Sequence, residues 1–141
     1  YDGKEVKQIT NNSFVDNGPD INSNGLMTWD GWDGNDFEIF MYDGTQVIQL
    51  TDNEIDDFEP KINSLGHVAW RRWDGNDYEI FSDDGIQIKQ ISFNDTFDNV
   101  KGFSDNGHIL WESNNSEVML YRTFSTLDKQ RLPIFLTSME R

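Results

Sequence analysis

The run WDGWDGNDFEIF beginning at Trp29 returns as WRRWDGNDYEIF at Trp70, and a looser third copy begins at Trp111, so the period is 41 residues. Self-similarity at a fixed period restricts a chain to architectures that use one supersecondary unit again and again. Other landmarks hold the same register. Val6-Lys7-Gln8-Ile9-Thr10 recurs as Val47-Ile48-Gln49-Leu50-Thr51 and as Ile88-Lys89-Gln90-Ile91-Ser92. Ile21-Asn22-Ser23-Asn24-Gly25 is matched by Ile62-Asn63-Ser64-Leu65-Gly66 and by Phe103-Ser104-Asp105-Asn106-Gly107, each ending four residues before the tryptophan. Between the first two copies about half the positions are identical.

The repeated unit reads as strands. In the second copy, residues 59–63 form a short first strand ahead of Ser64-Leu65-Gly66, a turn whose glycine can take positive φ. Residues 67–73, rich in aromatic and branched side chains, make the second strand. Asp74-Gly75-Asn76-Asp77 tolerates left-handed conformations and caps its own backbone, which predicts a hairpin turn. Residues 78–82 and 86–92 supply strands three and four around Asp83-Asp84-Gly85, and helical periodicity is absent. Four short antiparallel strands in about 40 residues are one blade of an all-β propeller. Strand three carries Phe37 and Ile39 on one face and Phe40 and Tyr42 on the other, as expected for a sheet sandwiched between neighbouring blades.

In this order, Ile-Asn-Ser-x-Gly, Trp, Asp-Gly-Asn-Asp-aromatic-Glu-Ile-Phe, Asp-Gly and Gln-Leu-Thr resemble TolB-type propeller repeats over residues 1–121. The third copy departs from the pattern, because Asn114-Asn115-Ser116 is shorter than the earlier hairpins although Glu117-Val118-Met119 still reads as strand three. The resemblance implies a bacterial, exported protein, periplasmic or extracellular, that binds protein or peptide at a channel entrance. It divides the chain into repeats over 1–122 and a divergent tail over 123–141. Within the repeats come a fourth strand at 1–10, blade one at 18–51, blade two at 59–92 and a partial blade three at 100–122.

Three blades do not make a ring, since propellers typically use four to eight. The opening strand is the piece that blade three lacks. The expectation is a six-bladed ring, reached either by self-association of two chains or as a portion of a longer propeller. The tail, with Arg131, Pro133 and Ile134-Phe135-Leu136, is expected as a substitute fourth strand, a strap across a neighbouring subunit or a frayed terminus. A start at Tyr1 suggests a removed leader or excision from something longer.

Charge narrows the partners. A formal net charge of −15 repels phosphate backbones and anionic headgroups, which argues against nucleic acid, and no apolar run is long enough for membrane insertion as a helix. Basic proteins, basic peptides and cations suit this chain better. Cysteine is absent, so no disulfide or thiolate metal site is available.

Asp16, Asp57 and Asp98 share one repeat position, in the loop joining strand four to the next strand one. Around a ring they would converge near a channel mouth, where they would bind a cationic peptide or the cofactor Ca²⁺. Alternatively each caps its own loop. Asp33-Gly34-Asn35-Asp36 and Asp74-Gly75-Asn76-Asp77 lack the full D-x-[DN]-x-[DN]-G run, so they are read as hairpin turns and no metal site is assigned. Glu38, Glu79 and Glu117 recur on strand three and are read as blade-to-blade hydrogen-bond acceptors. Trp29, Trp70 and Trp111 lie inside strand two and belong to the core, whereas Trp32 and Trp73, nearer the hairpin, are the candidates for exposed binding surface. His67 and His108 match in position and are read as packing rather than zinc ligands.

No nucleophile elbow, phosphate-cradling loop or metalloprotease helix is present. The sequence reading is therefore of a noncatalytic interaction module, not an enzyme, binding a protein, peptide or saccharide at its channel mouth or blade face. The alternatives are an assembly unit that oligomerises to close its ring and a small hydrolase using the carboxylates as acid and base.

Overall fold

A computed structural model describes residues 5–114 and 116–123. Their regular structure consists of eleven strands: β1 (Asp16–Ile21), β2 (Met27–Trp32), β3 (Phe37–Tyr42), β4 (Val47–Gln49), β5 (Asp57–Ile62), β6 (Val68–Trp73), β7 (Tyr78–Asp83), β8 (Ile88–Gln90), β9 (Asp98–Phe103), β10 (Ile109–Ser113) and β11 (Glu117–Tyr121). They form three antiparallel meanders in sequence order: β1-β2-β3-β4, β5-β6-β7-β8, and β9-β10-β11. The architecture is all-β with blade-like sheets, and no closed ring forms among the described residues.

Tight turns between strands set this meander. Asn22, Asn63 and Ser104 each close a turn whose glycine, Gly25, Gly66 or Gly107, donates its N–H back to the carbonyl three residues earlier. Asp33 and Asp74 fold their carboxylates over the hairpin, accepting the N–H groups of Asn35 and Asp36 and of Asn76 and Asp77. The hairpin reading of both DGND segments holds at the level of the backbone.

Each first strand carries a bulge. The ladder slips between Asn17 and Asp20 in β1 and between Phe58 and Lys61 in β5. Gly18 and Glu59, equivalent positions in the repeat, take φ values of 54° and 55° there. A bulge with one left-handed residue bends the strand and strengthens its twist. Glycine adopts that conformation freely, whereas Glu59 adopts it against its own Cβ.

Blades pack face to face, as expected from the two-sided apolar pattern of strand three. Ile39, Ile62, Val68 and Trp70 form the buried cluster between blades one and two, flanked by Leu26, Met41, Leu50 and Phe81. Ala69, Ile80, Val100, Ile109 and Trp111 repeat it between blades two and three. First strands of successive sheets, β1 with β5 and β5 with β9, lie against one another.

Two sequence expectations need correction. The fourth strand expected at 1–10 is not a strand where it is described: Glu5 to Thr10 join no ladder, and Lys7 instead donates to the Tyr42 hydroxyl of blade one and lies 4.9 Å from its ring centroid. A strand exists only beside a partner edge, and β1 already pairs with β2 while no third strand of the matching blade lies beside this segment. The first strands begin at Asp16, Asp57 and Asp98, earlier than the expected 18, 59 and 100. Residues 1–4, Asn115 and the tail from 124 to 141 lie outside the described residues.

Candidate functional site

Antiparallel connectivity sorts the loops onto two ends. The β2–β3, β6–β7 and β10–β11 hairpins, the β4–β5 and β8–β9 connections and the segment before β1 all fall at one end, and the remaining turns at the other. The first end gathers most of the carboxylates and aromatic rings.

Its foundation is a polar network repeated in blades one and two. Thr51 Oγ accepts the Ile39 N–H and Ser92 Oγ accepts the Ile80 N–H. Glu38, fully buried on β3, accepts the backbone and side-chain N–H groups of Asn53, and the Asn53 side chain also donates to Asp57 Oδ2 at 3.0 Å. Glu79 in blade two accepts from Ser92 Oγ and from the Asn94 N–H, while the Asn94 side chain donates to Asp98 Oδ2 at 2.9 Å. Blade-to-blade acceptance by Glu38 and Glu79 thus runs through the connecting loop, whereas Glu117 is exposed on β11.

The three equivalent aspartates are not loop residues lining a mouth. Each opens a first strand, and Asp57 and Asp98 are fully buried. Asp57 Oδ1 accepts Trp70 Nε1–H at 2.8 Å and Arg72 Nε–H at 2.7 Å, and its Oδ2 accepts the Arg72 Nη2–H at 2.7 Å. Asp16, which is exposed, accepts Trp29 Nε1–H at 3.1 Å. In blade three this bond is missing: Asp98 Oδ1 and Trp111 Nε1 are both buried without a hydrogen-bond partner. The shared position therefore anchors the core tryptophan of its own blade in two copies of three. Nothing in the period alone distinguished an inward anchor from an outward ligand.

Above this network sit two carboxylate triads. Asp33, Asp36 and Glu38 in blade one, and Asp74, Asp77 and Glu79 in blade two, each bring one carboxylate oxygen per residue within 4.8 Å of one another. Burial pushes the Glu38 carboxyl up to about 7, aided by the nearby Asp57 and Asp36 charges and opposed by hydrogen bonds from Thr51 and Asn53. Burial likewise raises Glu79, Asp36 and Asp77 above the usual carboxylate range. Comparison with the EF-hand run set these hairpins aside, whereas the triads follow a D-x-x-D-x-E spacing. Glu38 and Glu79 complete them from two residues beyond the second hairpin aspartate, on the strand that follows the turn.

An aromatic row crosses the same end. Trp32 meets Phe37 edge-on at 5.4 Å, Phe37 meets Phe58 at 5.0 Å, Phe58 meets Tyr78 at 6.2 Å, and Tyr78 meets both Trp73 and Phe97 within 5.4 Å. The Arg71 guanidinium lies 4.8 Å from the Tyr78 centroid and 5.0 Å from that of Phe97, with Glu59 ion-paired to it at 3.1 Å. Trp73 is 40% exposed and Trp32 half-buried, so the expected surface tryptophans border this row. Trp32 and Asp16 share a cleft of about 380 Å³ with Trp29, Asn12 and Phe14. The site residues named from sequence are thus divided between that cleft (Asp16, Trp32), the outer end of the row (Trp73) and the interior (Asp57, Asp98).

Exposed apolar side chains crown the end: Phe14 and Val15 before β1, Ile55 before β5, Phe93 before β9, and Trp73. Asp52, Glu54 and Asp95 stand exposed between them. His67 and His108 are at the opposite end; His67 packs 6.4 Å from Phe103, and His108 Nδ1 accepts the Thr123 N–H.

No family model matches this chain, and no curated protein matches it. Among solved structures it is similar to dipeptidyl peptidase 4 of Porphyromonas gingivalis, with a TM-score of 0.62 and 14% identity over 79% of this chain and 18% of that one. It is also similar to an acylaminoacyl peptidase of Pyrococcus horikoshii, with a TM-score of 0.58 and 19% identity over 94% of this chain and 23% of that one. The chain thus spans about a fifth of the length of these structures. The expectation that it is not an enzyme is corrected by these neighbours, because both are peptidases. At such identities the likeness establishes the fold alone: blades of the β-propeller type found in those peptidases.

Proposed function

We propose that this chain is a run of β-propeller blades, similar to TolB-type repeats, whose loop-bearing end binds polypeptide. The observation that carries this reading is the alternation, at that end, of exposed Phe14, Ile55, Trp73 and Phe93 with exposed Asp52, Glu54 and Asp95. Apolar side chains in such a setting fit apolar residues of an extended chain, and the carboxylates select a basic one. Likeness to two peptidases supports polypeptide over saccharide as the ligand class. Within a longer propeller or an assembled six-bladed ring, this end would present peptide to a catalytic partner domain. The family resemblance supports an exported setting, periplasmic or extracellular.

The test is binding of a Lys/Arg-rich peptide containing Leu and Phe, followed by tryptophan fluorescence at low and high salt. The expected result is saturable binding that weakens as salt rises and is lost in a Trp73→Ala, Phe93→Ser variant. Salt-independent binding, or equal binding of a Glu-rich peptide, would remove the acidic end from the reading.

The edge of blade three supports a second reading, assembly. Among the described residues β11 has no strand on its outer side, and Val118 and Leu120 are exposed there. The segment Val6 to Thr10 matches β4 and β8 by repeat position. Pairing of that segment from a second copy with β11 would complete the third sheet. Light scattering should then show a dimer that becomes monomeric when residues 1–10 are deleted; a mass unchanged by the deletion counts against it.

A further inference from the structure

We infer that the two DGND hairpins are divalent-cation sites suited to Ca²⁺, one held by Asp33, Asp36 and Glu38 and the other by Asp74, Asp77 and Glu79. Three carboxylate oxygens within 4.8 Å of one another repel unless something positive lies between them. None of the six carboxylates has an ion-pair partner among the described residues, where the ion pairs formed are those to Glu59, Asp57, Asp84 and Glu112.

The buried hairpin aspartates are what turn two acidic clusters into sites. Asp36 is 7% exposed and its Oδ2 has no hydrogen-bond partner; Asp77 is 9% exposed and neither of its carboxylate oxygens has one. A buried carboxylate left without donors is strongly disfavoured, and here the orphaned oxygens belong to residues of the triads. Other acceptors in the triads are oriented by backbone and loop donors: Asp33 Oδ1 by the Asn35 and Asp36 N–H groups, Asp74 Oδ1 by those of Asn76 and Asp77, and Glu38 by Asn53. The arrangement is therefore prebuilt in duplicate, with the same residue in each copy holding an unpaired carboxylate oxygen: Asp36 Oδ1 takes the Asn35 side chain and leaves Oδ2, and Asp77 leaves both.

Ion choice follows from ligand type and geometry. All-oxygen, carboxylate-rich donors suit a hard cation. Ca²⁺ accepts six to eight oxygens in flexible geometry, whereas Mg²⁺ demands a near-ideal octahedron and keeps most of its water, so three carboxylates on an open hairpin suit the larger ion. Water supplies the remaining ligands, because both hairpins are open to solvent at Gly34 and Gly75. Blade three provides an internal control, since Asn114, Asn115 and Ser116 replace the acidic hairpin.

The test is equilibrium dialysis of the whole 141-residue chain, stripped with chelator, against Ca²⁺. Two ions per chain are expected, falling to one in Asp36→Asn and to none in the Asp36→Asn, Asp77→Asn double variant, with two retained in Asp105→Asn, which removes a surface charge at the other end. The unsubstituted chain should also melt several degrees higher in millimolar Ca²⁺ than in Mg²⁺ at matched ionic strength, a readout that needs no variant to fold. Absence of saturable binding, retention of it in the double variant, equal loss in Asp105→Asn, or an unmoved melting temperature would each overturn the assignment.

Discussion

Replacing Asp57 and Asp98, one at a time, by asparagine tests how one repeat position can carry different loads. Asp57 is fully buried and its carboxylate takes two bonds from Arg72, one from Trp70 Nε1 and one from Asn53. Asparagine keeps the shape and one acceptor oxygen but removes the charge, and it turns an NH₂ group toward Arg72 or Asn53. Breaking a buried ion pair from one side costs about 3–5 kcal/mol. The Arg72 side chain is 16% exposed, so water partly rescues it and the lower end, about 3 kcal/mol, is expected. Asp98 receives only the Asn94 bond and its Oδ1 is unpartnered, so losing its charge also relieves a desolvation cost. The net change at Asp98 should lie within about 1 kcal/mol of zero. Urea denaturation followed by tryptophan fluorescence measures both, and the Asp57 variant should melt roughly 10 °C lower. An Arg72→Met substitution made in the Asp57→Asn background should cost much less than it does alone, because the partners are coupled. Equal losses at Asp57 and Asp98, or a loss at Asp57 below about 1 kcal/mol, would refute the assignment of the load to this network.

Three further outcomes are expected. Gly31→Ala places a Cβ 2.8 Å from Asp16 Oδ1 and 3.1 Å from the Phe40 ring, so it should cost about 1–3 kcal/mol in chemical denaturation; a neutral result would mean that the Asp16–Trp29 bond yields freely. Glu59→Gly relieves a left-handed backbone while losing a half-exposed ion pair to Arg71, and should leave stability unchanged or raise it by up to about 1 kcal/mol in thermal melts, with a clear decrease counting against strain at the bulge. Asp43 is held down to about 2 by hydrogen bonds from the Thr45 hydroxyl and from the Gln46 and Thr45 N–H groups. A depressed folded-state pKa contributes stability above the unfolded value near 4 that is lost as pH falls toward 2, so Asp43→Asn should flatten the melting-temperature profile between pH 4 and 2 and an unchanged slope would exclude that contribution.

The blade architecture was legible because the repeat prints every strand two or three times, and a turn signal seen at Gly25, Gly66 and Gly107 is stronger than one seen once. Strand starts were less legible. Asp57 looks like a loop residue by composition, yet a tryptophan 13 residues later in the sequence, at Trp70, draws it into the sheet. The triads were hidden for another reason, since they follow a D-x-x-D-x-E spacing rather than the EF-hand run with which the hairpins were compared. Residues 5–10 show the opposite failure. Their sequence is that of a fourth strand, but β-pairing is a property of two segments and only one of them is beside blade one. Trp111 kept its place in the core while losing its partner, which no pattern of residue types would reveal.

At the end opposite the triads, each blade reaches for the next by the same rule. The Asn22 side chain donates to the carbonyl of Asn63, whose own side chain donates to the carbonyl of Ser104; Asn24 reaches Ser64, and Ser64 reaches Asp105. In these four bonds the earlier blade donates and the later one accepts, and the Ile62 N–H returns one to Asp20. Gene duplication that adds or removes a whole 41-residue period brings an equivalent asparagine back to the same seam, as Asn22 and Asn63 show. The interface grammar thus gives this array a natural unit of growth, and makes blade number a quantity that evolution can change in steps of one.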